Sequence, residues 1–134
     1  MKSTDTQTCP FCTLDHTRII ASNNYALAIM DGFPISSGHA LIIPKRHIAS
    51  LFEAIRDERE ALLDLLEQVK FELKEKHNPD GFNIGINDGL TAGQTVMHLH
   101  IHLIPRYVGD QPDPRGGVRW IFPEKADYWS NRQG

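Results

Sequence analysis

The chain has little cysteine, no excess of positive charge and no long apolar run, and each shortage excludes something. Two cysteines in 134 residues cannot make a disulfide framework. No apolar stretch approaches the roughly 20 residues of a membrane span, so no membrane partner is expected. Met1–Gln7 is polar and lacks the apolar core of a secretory signal, which predicts a cytoplasmic protein. Lys and Arg number 14 against 17 Asp and Glu, a net charge of −3 with His neutral. That balance argues against long nucleic acid or an anionic membrane surface as a partner. A small phosphate ligand remains open, because backbone amides and imidazoles bind phosphate without a basic surface. There is no internal repeat, no low-complexity tract, no Ser-His-Asp arrangement and no paired carboxylates.

The length suits one domain over 1–134 with a real core. Residues 1–13 read as a leader carrying Cys9-Pro10-Phe11-Cys12, and 109–134 as an irregular tail rich in Gly, Pro and charge. Between them, Arg18–Ala21 and Tyr25–Met30 flank the turn signal Ser22-Asn23-Asn24 and predict a hairpin. His39–Ile43, closed by Pro44, predicts a third strand. Ser50–Ala54 suggests a short helical turn. Asp57–Lys76 carries Leu62, Leu65, Leu66, Val69 and Leu73 at helical spacing, and Asn78-Pro79-Asp80-Gly81 stops it. Phe82–Asn87 and Val96–Ile104 predict the last two strands. The sum is an α+β domain with an antiparallel sheet of about five strands, one long helix and one short one.

Most of the chemistry lies in Met97-His98-Leu99-His100-Ile101-His102-Leu103. On a strand, alternate residues share a face, so the three histidines are expected on one side and the apolar residues on the other, toward a core. Imidazoles are costly to bury without partners, so packing alone explains the row poorly. Two chemistries fit it. His-x-His pairs on a strand can reach one zinc ion, which gives a metal-dependent hydrolase. Alternatively, a neutral imidazole is a good nucleophile near neutral pH, and its neighbours bind phosphate oxygens. Just upstream, Asn87-Asp88-Gly89-Leu90-Thr91-Ala92-Gly93-Gln94-Thr95 offers glycines, amides and a hydroxyl, the parts of a phosphate cradle.

The segment His98-Leu99-His100-Ile101-His102-Leu103-Ile104 resembles the histidine-triad motif. Gly93-Gln94-Thr95-Val96 resembles its lead-in. Asp31-Gly32-Phe33-Pro34 and Gly38-His39-Ala40-Leu41-Ile42-Ile43-Pro44-Lys45-Arg46-His47 resemble the family's nucleoside loop and second characteristic strand. The resemblance runs from about Cys9 to Arg106. It implies a nucleotide hydrolase in which His100 attacks the α-phosphorus of a dinucleoside polyphosphate or nucleoside phosphoramidate and forms a nucleotidyl-histidine. It implies that His102 contacts phosphate or leaving-group oxygens and that His39 lines the same pocket. Asn87, Gln94 and Thr95 would hold phosphate oxygens and Asp31 the ribose hydroxyls, with Phe33 and Ile20 beside the base. No catalytic metal is implied, although magnesium can accompany the substrate, and a homodimer is implied by the habit of the family. The tail Asp113–Trp120 is similar to that of bacterial members acting on diadenosine polyphosphates. A nucleotidyltransferase of the same family and a non-enzymatic nucleotide-binding module are the other readings.

A Cys-x-x-Cys pair in a reducing compartment points to metal or redox chemistry, and no thioredoxin-like βαβ pattern surrounds this one. Some family members bind zinc with such a knuckle, a distal histidine and the first triad histidine. The resemblance therefore implies a structural zinc site of Cys9, Cys12, His47 and His98. His16 and His77 are expected on the surface.

Overall fold

A computed structural model describes residues 6–130; residues 1–5 of the expected leader and 131–134 of the tail lie outside it. Five strands form one antiparallel sheet: β1 (Ile19–Ser22), β2 (Ala26–Met30), β3 (Ala40–Pro44), β4 (Gly81–Gly85) and β5 (Ile101–Arg106). Their order is β1-β2-β3-β5-β4, so the last strand inserts between the third and fourth. The long helix α1 (Arg56–His77) lies across one face. Its buried stripe of Leu62, Leu65, Val69 and Leu73 packs on Ala26, Ala28, Ala40, Ile42, Ile101 and Leu103. Alanines at three of those strand positions let the helix axis come close. Asn78 ends the helix in the left-handed region (φ 51°, ψ 51°), its N–H donating to the Lys74 carbonyl. Among the described residues, no helix is long and apolar enough to cross a membrane.

The opposite face begins with Leu27, Ile29, Leu41 and Ile43, and Phe11, Leu14 and Ile19 cover it. Strand alternation extends this face to the site. Two residues before Leu41, just ahead of β3, is His39, and two residues after Ile29, just past β2, is Asp31, whose N–H donates to the His39 carbonyl at 3.1 Å. His102 pairs directly with Leu41 and so shares its side. The sheet thus has a helix-covered face and a face that carries chemistry.

Several boundaries differ from expectation. The last strand starts at Ile101, not Val96, so His98 and His100 precede it, although Leu99 still joins Ile101 and Leu103 in the core and the three histidines stay on the other side. The reason lies across the ladder. β3 pairs with β5 only from Ala40–Leu103 to Ile42–Ile101. Beyond that point Pro44 has no N–H to offer, and its carbonyl faces the His98 side chain. Leu99 instead donates its N–H to the Ile48 carbonyl at 2.7 Å. Nor does Pro105 end the strand: it lies past the last β3 pairing, where its missing N–H costs nothing, and it still pairs with Phe82. The fourth strand stops at Gly85, which leaves Ile86 and Asn87 in a loop. The turn at Leu51–Glu53 is 3₁₀, and the short helix α2 (Pro123–Ala126) lies in the tail. That tail is more ordered than expected, with Arg115 stacked over Trp129 and Arg119 over Tyr128.

Candidate active site and metal centre

Cys9, Cys12, His47 and His98 meet although up to 89 residues separate them. His98 Nδ1 lies 3.6 Å from Cys9 Sγ, 3.5 Å from Cys12 Sγ and 3.2 Å from His47 Nδ1, and Cys12 Sγ lies 3.2 Å from His47 Nδ1. Zinc bonds of about 2.3 Å to sulfur and about 2.05 Å to nitrogen give tetrahedral edges of about 3.5 Å for S–N and about 3.3 Å for N–N. The observed spacings fit that figure. The tautomer fits as well. His98 Nε2 donates its hydrogen to the Pro44 carbonyl at 2.8 Å, so Nδ1 presents its lone pair to the other donors. Burial holds the His98 imidazolium form down, which keeps the ring neutral. Burial and the adjacent Cys9 push the Cys12 thiol up to about 11, a sign that two thiolates here call for a cation. His47 is brought in by its neighbour Arg46, whose guanidinium binds buried Glu58 at 2.8 and 2.9 Å, near the start of α1.

A second group, Asp31, His39 and His102, also converges but with different chemistry. The Ile35 N–H donates to His39 Nδ1 at 3.2 Å, which leaves the ring proton on Nε2. That proton faces His102 Nδ1 at 3.0 Å and Asp31 Oδ2 at 3.3 Å. His102 therefore carries its own proton on Nε2. A metal at His39 Nε2 would need a lone pair where the geometry requires a proton. Burial lowers the pKa of both rings and keeps them neutral, against the opposing pull of Asp31. Asp31 Oδ1 accepts the Phe33 N–H at 2.7 Å, which shapes the loop after β2.

His100 lies between the two groups. It is 8% exposed, and its Nδ1 donates to the His98 carbonyl at 2.8 Å. Its Nε2 consequently keeps a lone pair. Its ring centroid is 5.3 Å from that of His102. Among the described residues, no metal-sized cluster joins His98, His100 and His102. The three rings divide because His98 leaves the row for the cysteines.

The other expected residues are placed less uniformly. Gln94 is buried and spends its amide on backbone: Nε2 donates to the Ala49 and Val96 carbonyls, and Oε1 accepts the Gly89 N–H. It braces the Gly89–Gln94 loop. Thr95 and Asn87 are exposed beside that loop. Phe33 is 90% exposed, and Ile20 lies at a register shift of β1, also exposed. Sequence reasoning missed Phe11, the Ile35 N–H and the Pro44 carbonyl. The two backbone groups leave no residue-type signal, whereas Phe11 is an apolar residue between two metal-type cysteines.

The comparisons agree with this geometry. Residues 14–109 match the HIT domain model, and the chain belongs to the histidine-triad (HIT) family. An uncharacterised HIT-like protein of Mycoplasma genitalium is 36% identical over 111 residues, covering 80% of this chain and 79% of that protein. AP-4-A phosphorylase of Mycobacterium tuberculosis is 30% identical over 93 residues, 69% of this chain and 48% of that protein. Among solved structures, a zinc-bound histidine triad family protein of Mycobacterium smegmatis superposes with a TM-score of 0.71 at 31% identity, over 81% of this chain and 86% of that one. Members of this family bind nucleotides, and hydrolase-type enzymes are among them.

Proposed function

We propose that the protein cleaves dinucleoside polyphosphates or nucleoside phosphoramidates at the α-phosphate through a covalent intermediate on His100. The observation that carries the reading is the tautomer of His100. With Nδ1–H given to the His98 carbonyl, Nε2 is a neutral nucleophile that needs no separate base. In the first step, the Nε2 lone pair forms the N–P bond as the bond from α-phosphorus to the leaving group breaks. The His98 carbonyl, accepting the Nδ1 hydrogen, stabilises the positive charge that grows on the ring. His102, its proton held on Nε2 by the bond from His39, supplies that hydrogen to a phosphate or leaving-group atom. In the second step, water attacks phosphorus and gives a proton back to His102 Nε2, the N–P electrons return to His100 Nε2, and a nucleoside monophosphate leaves. Positioning and charge stabilisation supply most of the catalysis in such transfers. Asp31 serves the ribose hydroxyls, Asn87 and Thr95 the phosphate, and Gln94 shapes the loop that carries them.

Cys9, Cys12, His47 and His98 would hold a structural zinc, which when bound neutralises the thiolates and pins the leader to the site.

The test is mass spectrometry after rapid quench with diadenosine tetraphosphate. An adenylyl group on His100 is expected, together with a loss of turnover by roughly four to six orders of magnitude in His100→Ala. Unchanged turnover in that variant would overturn the reading. The kinship with a phosphorylase favours one variation, in which inorganic phosphate replaces water in the second step. Nucleoside diphosphate appearing in place of monophosphate when phosphate is added would establish it.

A further inference from the structure

The turn from Cys9 to Cys12 carries an aromatic ring between its two thiols. The ring of Phe11 stands edge-on to His98, with centroids 5.8 Å apart and planes at 83°, and to His100 at 5.2 Å and 72°. It also packs on the Ile29, Leu41 and Ile43 cluster. The His100 ring is therefore flanked by Phe11 and by His102. The ring is held by its Cβ–Cγ bond and by the hydrogen bond to the His98 carbonyl, but a single hydrogen bond has a broad angular tolerance and still lets the ring swing about Cβ–Cγ. Contact along its flanks is what stops the swing. The turn closes on itself through the Cys12 and Thr13 N–H groups, both donating to the Cys9 carbonyl. Its thiols reach His47 and His98, while Phe11 and Leu14 reach the sheet.

We infer that Phe11 is a positioning residue for the reaction proposed at His100, and that it transmits the order of the Cys9, Cys12, His47, His98 quartet to the nucleophile. This rests on the role proposed for His100. In-line attack tolerates little displacement: an ångström of misplacement can cost about 100-fold. The quartet's ligand His98 also supplies the carbonyl that holds His100, so ring and carbonyl are set from the same centre.

The experiment compares Phe11→Ala, Phe11→Leu and Phe11→Tyr in the full chain. Phe11→Ala is expected to lower kcat by roughly 10- to 100-fold while KM stays within about twofold. Phe11→Tyr, which keeps the ring, should recover most of the loss; Phe11→Leu, which keeps apolar cover but no flat edge, should not. Native mass spectrometry should find the parent's zinc content in all three. With ¹³C-labelled histidine, the His100 ring signal should broaden or split in Phe11→Ala while those of His16 and His77 stay put. Removing the metal from the parent should reproduce that change and add little to it in Phe11→Ala. A sharp, unmoved His100 signal with unchanged kcat overturns the inference, as does a fall in kcat that tracks lost zinc. If the parent forms no adduct on His100, the proposed function fails, and the ring signal still decides Phe11. A disturbed signal upholds the positioning, and an undisturbed one overturns it.

Discussion

The quartet around His98 and the trio around His102 are built largely from the same side chain, yet each holds it differently. His98 gives its proton to a backbone carbonyl and turns a lone pair toward two thiols and another imidazole. His39 receives a backbone N–H and turns a proton toward His102 and Asp31. A backbone acceptor behind the ring leaves a lone pair on its far nitrogen; a backbone donor leaves a proton there. The difference teaches that neighbouring histidines are assigned their work by the main-chain group behind each ring, rather than by their spacing in the motif.

The comparison can be tested hardest at His102. His102→Ala removes the proton donor and should lower kcat by about 10²–10⁴-fold without releasing zinc, measured as initial rates beside metal content. A matching loss of metal would mean that the two groups are not separate.

Cys9→Ser acts on the other group. It should release zinc, lower Tm and loosen the His100 ring while leaving Asp31, His39 and His102 assembled. At a thousandfold saturation, bound metal is worth about 4 kcal/mol of stability, so a fall of roughly 10 °C or more is expected in thermal unfolding. Retained zinc with an unshifted Tm would remove the quartet from the argument.

Acid should weaken both groups together. His39, His98 and His102 all have pKa values lowered in the fold, chiefly by burial. Their contribution is complete above the ordinary histidine pKa of about 6.5 and is lost as pH falls from there toward the folded values. Chemical denaturation at pH 7 and pH 5 should show lower stability at pH 5. Equal stability would show that the rings are not buried neutral.

The smallest expected effect separates two roles for Asp31. Asp31→Asn should cost about tenfold in kcat/KM, about 1.4 kcal/mol. A rise in KM alone points to ribose binding, and a fall in kcat points to the pair with His39.

Much of the fold was legible in the chain. The apolar stripe of the long helix, its stop at Asn78, and the first three strands follow from periodicity and turn chemistry, which act over a few residues. The candidate site residues were legible as a set of types in a motif, and Cys9 and Cys12 with His47 and His98 as a group that could hold a metal. The start of β5 was not legible, since it depends on Pro44 lacking an N–H across the ladder. The brace made by Gln94 was hidden for a similar reason: the amide that looked ready for phosphate is consumed by the Ala49 carbonyl, 45 residues away.

By itself the sequence determined that three imidazoles would lie close together beside a glycine-rich loop, because local order and strand pitch need no distant partner. Only the tertiary structure decided which nitrogen of His98 and of His102 holds its proton. That choice belongs to groups brought up from far along the chain — Pro44 behind His98, His39 behind His102 — and a buried ring adopts the tautomer that satisfies its partner, because an unmet polar atom there costs more than the bond it would make.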